Sequence, residues 1–263
     1  MKSAGFQFNE RDAEIVHYVY RLRVATLGHL AALTNRSYKT LERRLPKLRD
    51  NRYVRRLKPR PHKGLYVLGP AGGPVLVQGG YAPKDLIDSR NRETEWKDLT
   101  IPHALLVASV LTKLILLTRE GPATMVAWRH DTPQMWHVIE TAKDGILPIR
   151  PDAYFALRHA AKPEKNNIDH FFLEADVGTM SHARIAQKIT AYSAYHRERR
   201  HLVKHGIDSF RVAIITQTRA RAENLKAQFH PAMPAAQRRA YCIVPLEDLT
   251  LPALMPSLET PAS

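Results

Sequence analysis

The sequence predicts a mixed α+β/α/β protein in two parts: three short helices with a two-stranded ribbon, followed by a larger α/β domain. Two observations predict this order. Before residue 70, apolar residues recur three times at helical spacing and then twice in runs of strand length. After residue 98, helical patterns alternate with apolar runs of strand length, which is typical of a mixed sheet with helices on both faces.

The first 50 residues predict three helices. Asn9 can cap the first, over residues 10–21, and Thr26 can cap a short second helix. The third is predicted over residues 37–49, with its leucines toward the core and its basic residues outside. Pro46 removes a backbone hydrogen bond from that helix at a cost of about 3 kcal/mol, so either the helix kinks there or the recognition surface ends earlier.

A β-ribbon follows, with strands predicted at 53–57 and 65–68 around a turn that contains proline and glycine. Three helices and such a ribbon make a winged helix-turn-helix. The third helix is expected in the major groove of double-stranded DNA, and the ribbon on the backbone or in the minor groove. The expected DNA-binding residues are Lys39, Thr40, Arg43, Arg44, Lys47, Arg55, Arg56, Lys58 and Arg60. The alternative is a module for protein contacts whose arginines form a solvated face.

The rest of the chain predicts an α/β domain. In order, we expect a helix at 99–118, strands at 124–128 and 135–140, a hairpin within 150–176, a helix at 181–200, a strand at 210–216, a helix at 220–229 and a strand at 241–244. The predicted segments are a winged helix-turn-helix at 1–80, a linker at 81–97, the α/β domain at 98–245 and a proline-rich tail at 246–263. We expect the tail to be partly disordered.

Two acidic points border apolar runs of strand length, and they define the candidate site. Asp152 comes directly before one run, and Glu174 and Asp176 close the next. The polar segment between the runs predicts a hairpin, which brings the end of the second strand beside the start of the first. Glu174 and Asp176 are two residues apart, so they share one face of their strand. Carboxylates at the end of an apolar strand cost free energy unless a positive partner compensates their charge. Mg²⁺ is one such partner, and it typically binds through one or two carboxylates.

The following helix supplies a basic group. Ile185, Lys188, Ile189 and Tyr192 have the spacing of one helical face, so Lys188 is expected among apolar side chains. An ammonium in that position suits the stabilisation of charge on a phosphate. The alternative is that Lys188 extends its charged end from a packed helix into solvent.

The acids also have ordinary structural interpretations. Asp152 follows a proline and can begin its strand simply as a turn residue. Glu174 and Asp176 can form ion pairs with nearby arginines instead of holding a cation. The arginines considered for such pairs are Arg150 and Arg184.

At these residues the chain resembles known proteins. Asp152, Glu174 and Lys188 resemble the PD-(D/E)XK nuclease-like signature, with the lysine moved onto the following helix. The motifs RPDA, FFLEADVGT and QKITAY, with a winged helix and His103 before them, resemble the replication-relaxation family of mobile-element proteins over roughly residues 8–245. Nucleases of this kind usually carry the lysine two residues after the acid, where this chain has Asp176.

The resemblance implies a nuclease-like mixed-sheet α/β domain after the winged helix. It also implies a role in replication, mobilisation or their control on a plasmid or an integrated element. The implied catalytic group is Asp152, Glu174, Asp176 and Lys188. Asp152 and Glu174 would be the metal ligands for Mg²⁺ if the nuclease-like site is active.

The charge balance favours a polyanionic partner. Lysine and arginine number 40 against 25 acids, for a formal net charge of +15, and 12 of those cations lie between Arg36 and Lys63. The alternative is general basicity for solubility. The single cysteine excludes an intramolecular disulfide and a cysteine-rich zinc site.

No apolar signal region begins the chain, and the apolar stretch 99–117 contains Pro102, His103 and Lys113. That composition favours a buried core helix over a membrane span. We therefore expect a cytoplasmic protein with no membrane partner. The sequence is also compatible with a homodimer, because many winged-helix proteins dimerise.

Three functions follow from these patterns. The first is a double-stranded-DNA-binding protein of a mobile element, with the nuclease-like domain as a companion. The second is a Mg²⁺-dependent DNA endonuclease in which Lys188 stabilises the transition state at phosphorus. The third is a non-enzymatic assembly factor that recruits a relaxase or a replication initiator.

Overall fold

The computed structural model describes residues 6–57, 64–84, 87, 100–130, 135–141, 145–160, 163, 167–231 and 233–255. Two predicted DNA-contact residues, Lys58 and Arg60, lie outside these ranges, as does most of the predicted linker. The chain divides into two compact units, Met1–Thr112 and Lys113–Ser263. The four predicted segment boundaries stay predictions.

The first unit begins with three helices: α1 (Glu10–Leu22), α2 (Leu27–Thr34) and α3 (Tyr38–Asp50). Each is capped by a polar side chain that accepts a backbone N–H of the first turn, which satisfies a donor that the helix itself leaves unpaired. The caps are Asn9, Thr26 and Ser37. Leu41, Leu45 and Leu48 of α3 are fully buried.

Pro46 does not end α3. The helix continues through it to Asp50. The missing N–H costs one hydrogen bond of the helix, while Leu45 and Leu48 on either side of Pro46 are fully buried. Core packing of the leucines therefore outweighs the lost bond. The earlier end of the recognition surface stays a prediction.

A two-stranded antiparallel ribbon follows the helices. It pairs β1 (Val54–Leu57) with β2 (Leu65–Leu68). Ala25 adds a short bridge to Tyr66, with two backbone hydrogen bonds of 2.8 Å. A helix, α4 (Gly72–Gln78), comes next, and α5 spans Ile101–Arg119.

The helix α5 is long and apolar enough to cross a membrane by length and composition. Its most apolar window has a mean hydropathy of 1.8, but 56% of that window is buried inside the protein. A buried core helix passes the same test, as the sequence analysis expected for this stretch.

The second unit contains a five-stranded mixed sheet in the order β3-β6-β7-β8-β9. Its strands are β3 (Ala123–His130), β6 (Ala153–His159), β7 (Ile168–Asp176), β8 (Arg211–Thr216) and β9 (Tyr241–Pro245). The first three pair antiparallel, and β7, β8 and β9 pair parallel. The predicted hairpin is β6–β7.

Helices cross between the parallel strands, as parallel pairing requires. These are α6 (His182–Arg197) and α7 (Arg200–His205) before β8, and α8 (Arg219–Phe229) and α9 (Ala235–Arg238) before β9. Phe172, Val212 and Ile214 of the sheet pack against Ile185 and Ile189 of α6 in one core.

A second hairpin differs from the prediction of one strand at 135–140. β4 (His137–Thr141) and β5 (Gly145–Ile149) pair with each other in a separate two-stranded sheet. Ile139, Leu147 and Ile149 of this hairpin are buried in the core with α6. Pro148 interrupts the apolar run of the second strand, and a proline within such a run argues against a strand.

The first part of the predicted tail is ordered. A 3₁₀ turn (Leu246–Asp248) and a short helix, α10 (Leu251–Leu254), follow β9. Leu249, Leu254 and Met255 are fully buried. These apolar side chains pack into the core, which orders residues 246–255. Residues 256–263 lie outside the described range, so the expectation of a partly disordered tail stays a prediction.

Candidate functional site

The β6–β7 register brings two of the predicted acids together. Ala153 pairs with Leu173, so continuing the register by one residue places Asp152 opposite Glu174. The backbone N–H of Asp152 donates to the Leu173 carbonyl at 2.9 Å. In return, a carboxylate oxygen of Asp152 accepts the Ala175 N–H at 2.7 Å. Asp152 therefore begins its strand and also holds the neighbouring strand in register.

Glu174 is the centre of a buried polar group. It is only 3% exposed, at the sheet face that α6 covers. The Lys188 ammonium donates to Oε2 of Glu174, and the Tyr192 hydroxyl donates to Oε1 at 2.6 Å. Lys188 and Tyr192 are four residues apart, so both reach Glu174 from one face of α6. The predicted encounter of Glu174 with Lys188 is therefore present.

Burial controls the electrostatics of this group. The pKa of Glu174 is raised to about 7, chiefly because burial disfavours its charged form; the charge of Lys188 opposes this rise and the charge of Asp152 adds to it. Burial, followed by the charge of Glu174, also raises the pKa of Tyr192 well above its usual value. Tyr192 therefore remains a hydrogen-bond donor at neutral pH. Glu174 is a group that changes charge near neutrality.

Asp176 belongs to a different contact. It is 1% exposed, and Nε of Arg221 donates to its Oδ2 at 2.7 Å. The Gly178 N–H donates to the other oxygen at 2.8 Å, in a turn where Gly178 has a φ of 87° that glycine adopts without strain. Arg221 also donates to the Met180 carbonyl at 2.6 Å. Asp176 thus anchors the loop after β7 to α8.

Arg221 was missed by the sequence analysis, which considered Arg150 and Arg184 as partners. It is 45 residues from Asp176 and reaches it because β8 lies beside β7 and α8 follows β8. Arg150 instead stands over the Trp136 ring. No local signal in the sequence points to Arg221.

A divalent cation does not fit this donor set as it stands. Both oxygens of Glu174 accept protein donors, and so do both oxygens of Asp176. Among the described residues, no group of three or more His, Cys, Asp or Glu side chains is placed to hold a metal ion. The cavity beside Glu174 has a volume of about 10 Å³, near the minimum for a single water molecule. Mg²⁺, which usually keeps several waters, has no room there.

The basic face of α3 lies in the other unit. Lys39, Thr40, Arg43 and Lys47 are exposed, whereas the leucines of the same helix are buried. A groove of about 310 Å³ lies between α1 and α3, and its lining includes five cations. They are Arg11, Arg36, Arg43, Arg44 and Lys47. On the ribbon, Arg55 and Arg56 are exposed.

Arg44 differs from its neighbours on α3. Its guanidinium donates to both carboxylate oxygens of Asp12, with the Nε contact at 2.6 Å, and to the Gln7 carbonyl at 2.8 Å. It also stands 4.5 Å from the Phe6 ring centroid. Asp12 is 1% exposed, on the apolar face of α1, where an unpaired carboxylate would be costly. An aspartate at a position of the apolar face of α1 is the one feature of the sequence that points to the Asp12–Arg44 pair.

These contacts define a two-unit α/β protein: a mixed five-stranded sheet carries a buried glutamate–lysine–tyrosine group, and a helical unit carries a basic face. The chain belongs to the replication-relaxation family, whose family model matches residues 16–209. No curated protein and no solved structure matches the chain. Membership of this family indicates a role in the replication or relaxation of plasmids or other mobile elements.

Proposed function

We propose that this protein binds double-stranded DNA through the exposed face of α3 and through the β1–β2 ribbon, as a winged helix-turn-helix does. The supporting observation is the division of α3 into two faces. One face buries Leu41, Leu45 and Leu48, and the other exposes Lys39, Arg43 and Lys47 to solvent. An exposed, cationic helix after a short two-helix support is the element that enters the major groove in this class.

Each residue of the proposed interface has its own role. Arg43 is the candidate for base contact, since a guanidinium pairs bidentately with guanine. Lys39, Lys47, Arg55 and Arg56 are candidates for phosphate contact, which positions the protein without reading sequence. Arg44 joins α3 to α1 through Asp12, so its part in DNA binding is to hold the helix in place.

The test is binding of a labelled duplex measured by fluorescence anisotropy at several salt concentrations. Wild-type affinity is expected to fall steeply with salt, because neutralised phosphates release counterions. Replacing both Arg43 and Lys47 by alanine is expected to weaken binding, and the loss of the Lys47 phosphate contact should reduce the salt slope by about 1. Lys226→Ala, which removes one cation from α8, is the matched control and should leave binding unchanged. Equal binding by the double variant and wild type would place the DNA surface elsewhere.

A Mg²⁺-dependent endonuclease remains the second candidate. Its support is the proximity of Asp152, Glu174 and Lys188, with Lys188 donating to Glu174 and Asp152 acting on it electrostatically. The protein donors on both oxygens of Glu174 count against a resident cation. Incubation with supercoiled plasmid and Mg²⁺ or Mn²⁺ tests it: nicking that Glu174→Gln abolishes would establish the enzyme.

The third candidate, an assembly factor for a relaxase or a replication initiator, predicts little affinity for bare duplex. The same anisotropy measurement therefore separates it from the first proposal. The predicted cytoplasmic location and homodimer stay proposals as well.

A further inference from the structure

The β4–β5 hairpin has one buried face and one exposed apolar face. Ile139, Leu147 and Ile149 point into the core. The alternate residues point outward: Trp136 is 38% exposed, Val138 58% and Ile146 69%. Val138 and Pro148 are direct cross-strand partners, so the apolar strip crosses both strands. An exposed strip of this kind indicates a contact surface, because a hairpin needs only one apolar face to pack.

Cations surround the aromatic end of this strip. The guanidinium carbon of Arg150 stands 5.0 Å from the Trp136 ring centroid, because the hairpin register, continued one residue past His137 and Ile149, places the two residues opposite each other. Lys204 of α7 donates to the Trp136 carbonyl at 2.9 Å. Glu140 is an acid of the same outer face, opposite Ile146 and at the other end of the hairpin from Trp136.

His137, next to Trp136 in the sequence, is packed beside Lys204, one of the same cations. His137 lies beside Trp136 and contacts His205 at 3.0 Å and the Tyr195 hydroxyl at 2.9 Å. Burial, followed by the charges of Lys204, His205 and Arg200, lowers the pKa of His137 to about 4. Arg200 is partly balanced by Glu198 at 2.7 Å. Arg150 and Lys204, which both contact Trp136, make the surface around it positive.

We propose that this surface binds single-stranded nucleic acid. We call it the hairpin patch, and it consists of Trp136, Val138, Ile146, Arg150 and Lys204. A single strand combines phosphates, which Arg150 and Lys204 neutralise, with unpaired bases whose π-faces stack on an aromatic ring. Val138 and Ile146 extend the apolar strip for the next base or sugar. The proposal is independent of the duplex surface on α3, because no residue is shared.

Other occupants fit this patch less well. Duplex DNA hides its base faces in the stack, so it would leave Trp136 and Val138 without partners. A second copy of this chain would bring the cations of two identical patches together, and like charges at an interface cost affinity. A single strand satisfies the apolar and the charged residues at once.

The experiment uses the full chain and a fluorescein-labelled oligothymidine of roughly 16 nucleotides, a length within the site sizes of single-strand-binding folds. Wild-type protein is expected to bind it and to lose tryptophan fluorescence on binding. Trp136→Leu, which keeps an apolar side chain but removes the π-face, is expected to weaken binding about tenfold and abolish most of the quenching. Trp136→Phe keeps a ring and should weaken binding less.

Two further variants keep the test sharp if Trp136→Leu unfolds. Val138→Asp changes an exposed side chain, places a negative charge in the patch and should weaken oligothymidine binding. Lys226→Ala, a cation on another helix, is the control and should bind as wild type does. Circular dichroism and a thermal melt establish that each variant is folded.

The outcomes separate this proposal from duplex binding. Trp136→Leu should leave duplex affinity unchanged, and replacing Arg43 and Lys47 by alanine should leave the quenching by oligothymidine unchanged. Oligouridine in place of oligothymidine shows whether the strand bound is DNA, RNA or either. Wild-type affinity for oligothymidine in folded Trp136→Leu and Val138→Asp would overturn the proposal. So would a dimer in solution that both substitutions dissociate, because the patch would then be covered by a second copy.

Discussion

Arg44 of α3 donates to both carboxylate oxygens of Asp12 in α1, although 32 residues separate them along the chain. Asp12 is 1% exposed, and the Arg44 side chain is 25% exposed. This contact raises the already high pKa of the Arg44 guanidinium, chiefly through its hydrogen bonds to Asp12. Arg43, its neighbour, is exposed. Two adjacent arginines therefore have separate tasks, one within the fold and one toward a partner.

Arg44→Ala is expected to lower the free energy of unfolding by about 3 kcal/mol, because it leaves the buried Asp12 carboxylate without its charged partner and with only the Asn9 N–H as a donor. Urea unfolding followed by circular dichroism measures it. Arg43→Ala is the matched control and should change stability by about 0.5 kcal/mol or less, as exposed substitutions do. Equal, small losses in both variants would mean that Arg44 does not compensate Asp12.

Glu174 is expected to make stability fall as pH rises. Its pKa is about 7 when folded against 4.5 as the ordinary value, so below pH 4.5 both states hold the proton. Between pH 4.5 and about 7 the unfolded chain has released its proton while the folded chain retains it. Unfolding therefore releases a proton and becomes more favourable, by on the order of 3 kcal/mol across this window. Urea unfolding at a series of pH values measures the change.

Glu174→Gln supplies the comparison for that pH series, because an amide stays neutral throughout. The stability of wild type relative to Glu174→Gln should decline from pH 4.5 to about 7 and be constant above it. Parallel curves for the two proteins would show that Glu174 titrates in its ordinary range, and that the ion pair with Lys188 outweighs burial.

Mg²⁺ is expected to leave the melting temperature of wild-type protein unchanged. The oxygens of Glu174 and Asp176 already accept protein donors, and binding to the folded state alone is what would raise stability. Thermal melts with MgCl₂ and with EDTA measure this. A rise in melting temperature that Glu174→Gln removes would restore the predicted metal site at Asp152 and Glu174.

Cys242 is expected to resist thiol reagents in the folded protein. It is buried, and burial raises its pKa to about 11, so little thiolate is present at neutral pH. Its Sγ donates to the Ala253 carbonyl of α10 at 3.1 Å. Leu254→Ala removes a fully buried side chain of α10 and should therefore speed the labelling of Cys242.

The rate of reaction with Ellman's reagent measures that exposure. Val203→Ala is the control, because Val203 is 88% exposed and belongs to α7. Fast labelling of wild type would contradict the packing of residues 246–255 against β9.

Much of the fold was predictable because it depends on local pattern. Apolar spacing predicted α1, α3, α5 and α6, and the alternation of runs and turns predicted the β6–β7 hairpin. The encounter of Glu174 with Lys188 also follows from spacing, since α6 succeeds the strand that ends at Asp176. The β4–β5 hairpin escaped prediction because Pro148 interrupts the apolar run of its second strand.

The sequence by itself determined the order of these elements, the family and the residues that carry charge, because periodicity and composition are properties of neighbouring positions. Only the tertiary structure decided which charges compensate one another. Arg44 reaches Asp12, and Arg221 reaches Asp176, across 32 and 45 residues. Pairing across such distances depends on how strands and helices pack, and a buried carboxylate takes whichever donor that packing brings within reach.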